Sequence, residues 1–131
     1  MDELTMTQPG SKVEMVREAA RAAGEARGDA AHAVIATDDA GTILYWNAAA
    51  ERLYGWRSAE ALGRNVVDVT PAMMSQGEAG DIMHRLVGGK PWAGEFTVRS
   101  RDGTPMIVHV SDTPIVHDGT VIGIVGVSHR R

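Results

Sequence analysis

Two Asp-Gly pairs, Asp102-Gly103 and Asp118-Gly119, separate three apolar stretches in the last third of the chain. They limit what this region can become, because Asp-Gly supplies the positive φ that a tight hairpin turn requires. The stretches read as strands: "WAGEFTVRSR" from Trp92, "PMIVHVSDTPIVH" from Pro105 and "TVIGIVGVS" from Thr120. Three consecutive strands joined by short turns make an antiparallel meander. A second hairpin lies earlier, where "HAVIATD" and "TILYW" flank the turn "DDAG", Asp38 to Gly41.

Between the two groups the pattern is helical and broken. Asn47 caps a run of helix formers that Gly55 ends after about two turns. "SAEALG", Ser58 to Gly63, is a second short helix, with Ser58 as its cap and Gly63 at its end. "NVVDVTP" is a brief turn or helix stopped near Pro71, and Glu78 to Val87 is a longer helix ended by Gly88-Gly89. Two strands, several short helices and three strands predict a five-stranded antiparallel sheet with its helices on one face, an α+β layout.

Before this lies a different segment. Residues 1–11 are polar, hold the breaker Pro9-Gly10 and are expected to form a flexible tail. Ser11 and Glu14 have capping-box spacing for a helix over residues 12–28 that ends before Gly28. Val13, Val16, Ala20 and Ala23 share one narrow face of it. That face suits packing on its own domain, and equally a dimer contact or a coil leading from another domain.

Length and composition exclude several functions. The 131 residues suit one domain. With no cysteine there is no disulfide, thiolate catalysis or cysteine metal site. A net charge of -4 argues against direct nucleic-acid binding. No apolar run approaches the ~20 residues that span a bilayer, and the polar, acidic start is not a secretory signal. The expectation is a cytoplasmic protein with no membrane contact. No glycine-rich phosphate loop and no nucleophile–base set is visible, so no enzymatic activity is expected. Asp81 and His84, three apart on one helix, read as a surface pair.

Four stretches, taken in order, resemble the PAS sensor family: "WNAAAERLYGW" (Trp46–Trp56), "SAEALGRN" (Ser58–Asn65), "GKPWAGEFTVRSRDGT" (Gly89–Thr104) and "HVSDTPIVHDGTVIGIVGVS" (His109–Ser128). The resemblance covers about residues 30 to 129 and implies a PAS domain over 30–131, with 12–28 as a flanking or dimerisation helix. It implies short helices crossing a concave sheet and enclosing a space that holds a ligand or is filled by side chains. With its phase set by that resemblance, strand parity turns Ile35, Thr37, Trp92, Gly94, Phe96, Val98, Met106, Val108, Val110, Asp112, Ile124, Gly126 and Ser128 inward. Val69, Met73, Met83 and Leu86 join them from the helices. Most of this set is apolar, as a ligand pocket requires and as a filled core also would be. Asp112 needs a partner or water if buried. It either bonds locally, with "SDTP" opening a turn, or meets a ligand.

The resemblance also bears on cofactors. Haem-binding PAS relatives place a histidine at the start of the long helix, where this chain has "SQGEAG"; His84 lies well past that point, and Gly94 stands where those oxygen sensors carry an arginine. The cysteine adduct of the light-sensing LOV branch is excluded, and Ser128 occupies a position like that branch's flavin-contacting glutamine. FAD-binding redox sensors, some of which share the "KPW-x-G" stretch of Lys90 to Gly94, stay open. The function implied is sensing a small molecule, or relaying a signal through dimer contacts, for an effector absent from this chain: a kinase, cyclase, phosphatase or DNA-binding domain, in two-component signalling or transcription control. The outer sheet face would show Ile107, His109, Val121, Val125 and Val127, too apolar to leave wet. A homodimer through the first helix and this face is therefore expected. "SHRR" replaces the Asp-Ile-Thr-like end of many PAS domains, which leaves the coupling to an output helix open.

Overall fold

The computed structural model describes residues 2–27 and 31–131, with side chains described for 12–26 and 31–131. The elements are α1 (Asp2–Arg27), β1 (Ala33–Asp38), β2 (Ile43–Trp46), α2 (Ala48–Tyr54), α3 (Ser58–Ala61), α4 (Val66–Val69), β3 (Ala72–Met73), α5 (Gln76–Val87), β4 (Trp92–Arg99), β5 (Pro105–His117) and β6 (Thr120–Arg130). The strands form one sheet in the order β2-β1-β6-β5-β4-β3, with every neighbouring pair antiparallel. The α+β architecture is as expected, with one strand more. β3 is only two residues long and pairs Ala72 with Val98 and Met73 with Thr97 at the sheet edge. A two-residue strand has no periodicity to read.

The two Asp-Gly turns differ. At the second, Asp118 and Gly119 both have positive φ, 51° and 75°, between the paired residues His117 and Thr120. That is the two-residue turn whose twist matches the strands. At the first, only Gly103 has positive φ, and a five-residue loop is closed by the Asp102 carboxylate accepting the Thr104 N–H. Its Arg101 reaches back to the crossing helices: its N–H donates to the Tyr54 carbonyl, its guanidinium pairs with Glu60 at 2.7 Å, and it lies 4.7 Å from the Trp56 ring centroid.

Asn47 joins the first hairpin to the crossing. Its Oδ1 accepts the Ala50 N–H that opens α2 and the Val34 N–H of β1, while its amide donates to the His32 carbonyl. Gly55 closes α2 with φ of 82°, its N–H on the Glu51 carbonyl. The Trp46 indole donates to the Trp56 carbonyl across the exit at 2.8 Å. Further on, Arg57 rather than Ser58 precedes α3 in extended conformation, and Glu60 caps by accepting the Arg57 N–H. Ser58 is occupied differently, with its own N–H on Glu51.

α1 lies on the outer face of the sheet, opposite the crossing helices. Val16 and Ala20 pack there against Val34, Ala36, Ile122, Val125 and Val127. The helix covers Val125 and Val127 from within the same chain. Gly123 admits it: a Cβ there would stand 2.7 Å from a Val16 methyl and 2.5 Å from the Thr37 carbonyl. Two expectations are corrected. The helical backbone begins at Asp2, not at residue 12, so 1–11 is not a separate tail from Asp2 on. Pro9 falls within the helical run, although an interior proline removes one backbone donor and crowds the carbonyl four residues before it. The expected stop at Gly28 and the first residue of the expected span 30–131 lie outside the described residues. No described helix is long and apolar enough to cross a membrane.

Replacing Asn47 by Ala removes a helix cap and strands the Val34 N–H and His32 carbonyl. The expected loss is about 2–4 kcal/mol of unfolding free energy. Urea denaturation measures it, and a loss well under about 1 kcal/mol would show that water replaces these bonds.

Candidate functional site

On the inner side, the concave sheet and the segment from α4 to α5 enclose a cavity of about 390 Å³. Strand parity supplies one wall: Ile35 and Thr37 of β1, Phe96 of β4, Val110 and Asp112 of β5, and Ile124, Gly126 and Ser128 of β6. Helix periodicity supplies the other, because Ala79, Ile82, Met83 and Leu86 of α5 fall on one face. Ser75 starts α5 with a capping box, its hydroxyl accepting the Glu78 N–H and the Glu78 carboxylate accepting the Ser75 N–H. That anchors the helix across the mouth, where Val67 and Met83 are exposed.

Five of the residues expected to line the cavity lie elsewhere. Val69, Val98 and Val108 are fully buried in the core beside it, packed with Trp46, Ala50 and Tyr54. Met73 lies on the edge strand β3 and is exposed, because that strand pairs outward on β4. Trp92 keeps its inward parity but turns over Gly94, where a Cβ would meet the indole at 2.7 Å, and stacks at 5.9 Å on Phe96. The ring thus forms part of the wall behind Phe96. Met106, also expected inward, is buried in the same core.

Lining residues not foreseen are Tyr54, Val66, Val67, Thr70, Ala72, Met74, Ser75, Gln76, Ala79 and Ile82. Ala79 and Ile82 had a signal, the i, i+3, i+4, i+7 stripe they form with Met83 and Leu86. The others come from the end of α2, from the one-turn helix α4, from the two-residue strand β3 and from the connections up to the start of α5, all too short to show a period.

Thr37, Tyr54, Asp112 and Ser128 are the polar groups on the side of β6, while Thr70, Ser75 and Gln76 line the helical side. The Tyr54 and Ser128 hydroxyls are 2.7 Å apart and both residues are buried. Burial pushes the Tyr54 phenol up to about 12; the Ser128 bond acts in the opposite direction and the Asp112 charge adds to the rise. Asp112 pairs in register with Gly126, and a Cβ on Gly126 would stand 2.7 Å from Asp112 Oδ1. The carboxylate therefore leans over β6 in the space a side chain would fill. "SDTP" forms no turn: β5 runs unbroken through it, and among the described residues nothing hydrogen-bonds the Asp112 carboxylate. Burial raises that carboxyl to about 6.

A single curled antiparallel sheet, crossed by short helices that close an inner cavity, defines a class of small sensory and signalling domains. The sequence model of the PAS fold matches residues 12–131, and the chain belongs to the PAS family. Solved structures agree in fold. A PAS domain from Colwellia psychrerythraea superposes with TM-score 0.63 at 24% identity, covering 76% of this chain and 86% of that one. The PAS domain of an HTR-like protein from Haloarcula marismortui gives 0.62 at 20%, with the same coverages. The LOV domain of a blue-light-activated histidine kinase from Erythrobacter litoralis gives 0.66 at 17%, covering 75% and 94%.

The described lining offers no cation to the phosphate of a flavin. Among the described residues no lysine or arginine lines the cavity to meet a phosphate, Asp112 would repel one, and Ser128 is hydrogen-bonded to Tyr54. No histidine lines it either, and His84 is exposed on α5.

The Asp112 carboxyl fixes a pH dependence. Its folded value, about 6, stands above the ordinary 3.8, so the folded state holds the proton more tightly than the unfolded chain does. Between about pH 4 and 6 the folded carboxyl is protonated while the unfolded one is ionised, so this group's contribution to stability falls as pH rises through that window. Asp112→Asn is expected to remove the fall and to raise stability at neutral pH by at most about 3 kcal/mol. Urea midpoints for both proteins across the window measure the difference. Parallel profiles would show that the carboxylate is hydrated in the folded state.

Proposed function

We propose that this chain is a sensory PAS domain that holds a small molecule in its inner cavity and passes the occupancy of that site to an effector outside the chain. The cavity carries the proposal: it is walled mainly by apolar side chains, with a few polar groups converging on one side, as small-molecule sites are. The reading assigns the domain no catalytic step. Its lining offers Asp112 and Tyr54 as titratable groups, the first without a hydrogen-bond partner among the described residues and the second bonded to Ser128, and no nucleophile–base set.

The relay follows from strand parity. Ile35, Thr37, Ile124, Gly126 and Ser128 face the cavity, while Val34, Ala36, Val125 and Val127 on the same two strands hold α1 on the other face. A guest that shifts β1 or β6 also moves the surface under α1, which lies on the opposite face of the same two strands. It biases α1 only as far as it prefers one of two arrangements. In this scheme α1 and the uncovered part of the outer face, with Ile107 exposed and His109 half-buried, form a homodimer contact through which the effector is driven.

Ala79→Trp, which fills the cavity from α5, tests the proposal. A guest drawn from a metabolite extract and seen by native mass spectrometry is expected to bind the natural chain and to lose affinity at least about tenfold in the variant. Guest binding is also expected to change amide exchange along α1. A protein that takes up no guest, or a guest indifferent to the filled cavity, would overturn the cavity as the sensing site. The absorption spectrum of the purified protein separates out the FAD alternative.

A further inference from the structure

We infer that the guest class is a small, mostly apolar molecule bearing one strong hydrogen-bond donor, by preference an ammonium group, that docks on the Asp112 carboxylate. This rests on the cavity being the ligand site. It goes further in naming which end of the guest points where.

Three observations converge. The first is geometric. Asp112 is the one acidic side chain in the lining, and Gly126 across from it is bare, which gives the carboxylate a bed on β6 facing the cavity. Alanine at 126 would place its Cβ against Oδ1. The second is electrostatic. No lysine, arginine or histidine lines the cavity, and among the described residues the carboxylate accepts no hydrogen bond. The titratable group facing it is the Tyr54 phenol, whose oxygen is bonded to Ser128 Oγ. Asp112 is half-buried, and a carboxylate desolvated without a partner is costly; a guest that brings a donor removes that cost on binding. Charge-assisted bonds of this kind are the strong ones. The third is the rest of the wall. Ile35, Phe96, Val110, Ile82 and Leu86 make most of it hydrocarbon, with Thr70, Ser75 and Gln76 as its neutral polar members, which suits an aryl or alkyl body.

The Tyr54–Ser128 pair adds a second contact. Two hydroxyls share one hydrogen bond, which leaves one O–H for an acceptor on the guest and a lone pair for a second donor. Anions are disfavoured twice over, by the Asp112 charge and by the absence of any cation in the lining. The elevated proton affinity of Asp112 fits this: an ammonium guest draws the carboxyl back to its ionised form.

The test uses three probes of nearly equal shape: 3-phenylpropylamine, 3-phenylpropan-1-ol and 3-phenylpropanoate. Affinities are read by calorimetry or ligand-observed NMR at about neutral pH. The amine is expected to bind about tenfold or more tighter than the alcohol, and the carboxylate weakest. Asp112→Asn is expected to bring the amine and alcohol to within about threefold of each other. Gly126→Ala, which displaces the carboxylate without removing it, is expected to weaken the amine selectively. Raising the pH through the Asp112 titration should strengthen the amine and leave the alcohol unchanged. If the alcohol and amine bind equally, or the ranking survives Asp112→Asn, the donor preference falls while the cavity stands. If none of the three binds, the cavity as ligand site falls with it.

Discussion

The middle strand β6 is the constraint from which the rest follows. It is hydrogen-bonded along both edges, to β1 and to β5, and something presses on each of its faces. On one face α1 lies so close that Gly123 has no room for a side chain. On the other, Gly126 leaves the space that the Asp112 carboxylate occupies. Because side chains alternate along a strand, two glycines three apart relieve opposite faces. That arrangement lets a thin sheet carry a helix outside and a cavity inside at the same residues.

The interior is divided between packing and vacancy. Trp46, Tyr54, Val69, Val98 and Val108 make a dry core beneath the crossing helices. Beside it the α5 stripe stands off the sheet over the cavity. Filling that space with larger side chains would add apolar burial, and leaving Asp112 unpaired on its wall works against folding. A domain that tolerates both gives up stability at this cavity. Membership of the PAS family makes a sensing role the coherent account of that sacrifice.

Much of the fold was legible because it rests on short-range rules. Asn47 and Gly55 read as the two ends of α2, and they are. Asp118-Gly119 read as a tight hairpin, and its two positive φ values make one. Misreadings occurred where a local rule had a competitor. Ser58 looked like a cap, but Glu51 and Glu60 take the donors around it. At Asp112-Thr113-Pro114 a turn stood as an alternative to the strand read through it, and pairing with β4 and β6 holds the segment extended. Pro9-Gly10 looked like a helix boundary, but the helical backbone runs through it. Of the site, the sheet wall was accessible through parity, while most of the helical wall was not, since Thr70, Ala72 and Met74 belong to segments without a repeat.

By itself the sequence determined five of the six strands, the hairpin turns, the capped corner at Asn47 and the alternation that sets Val108, Val110 and Asp112 on one face of β5, because each depends on neighbours a few residues apart; which face is the inner one came from the resemblance to the PAS family. Only the tertiary structure decided that α1 covers its own sheet, that Val98 and Val108 fill core while Val110 meets open space, and that Tyr54 joins Ser128 from 74 residues away. Those outcomes depend on how far α5 and α1 stand from the sheet, a distance set by the sum of all the side chains between them and written in no single stretch of the chain.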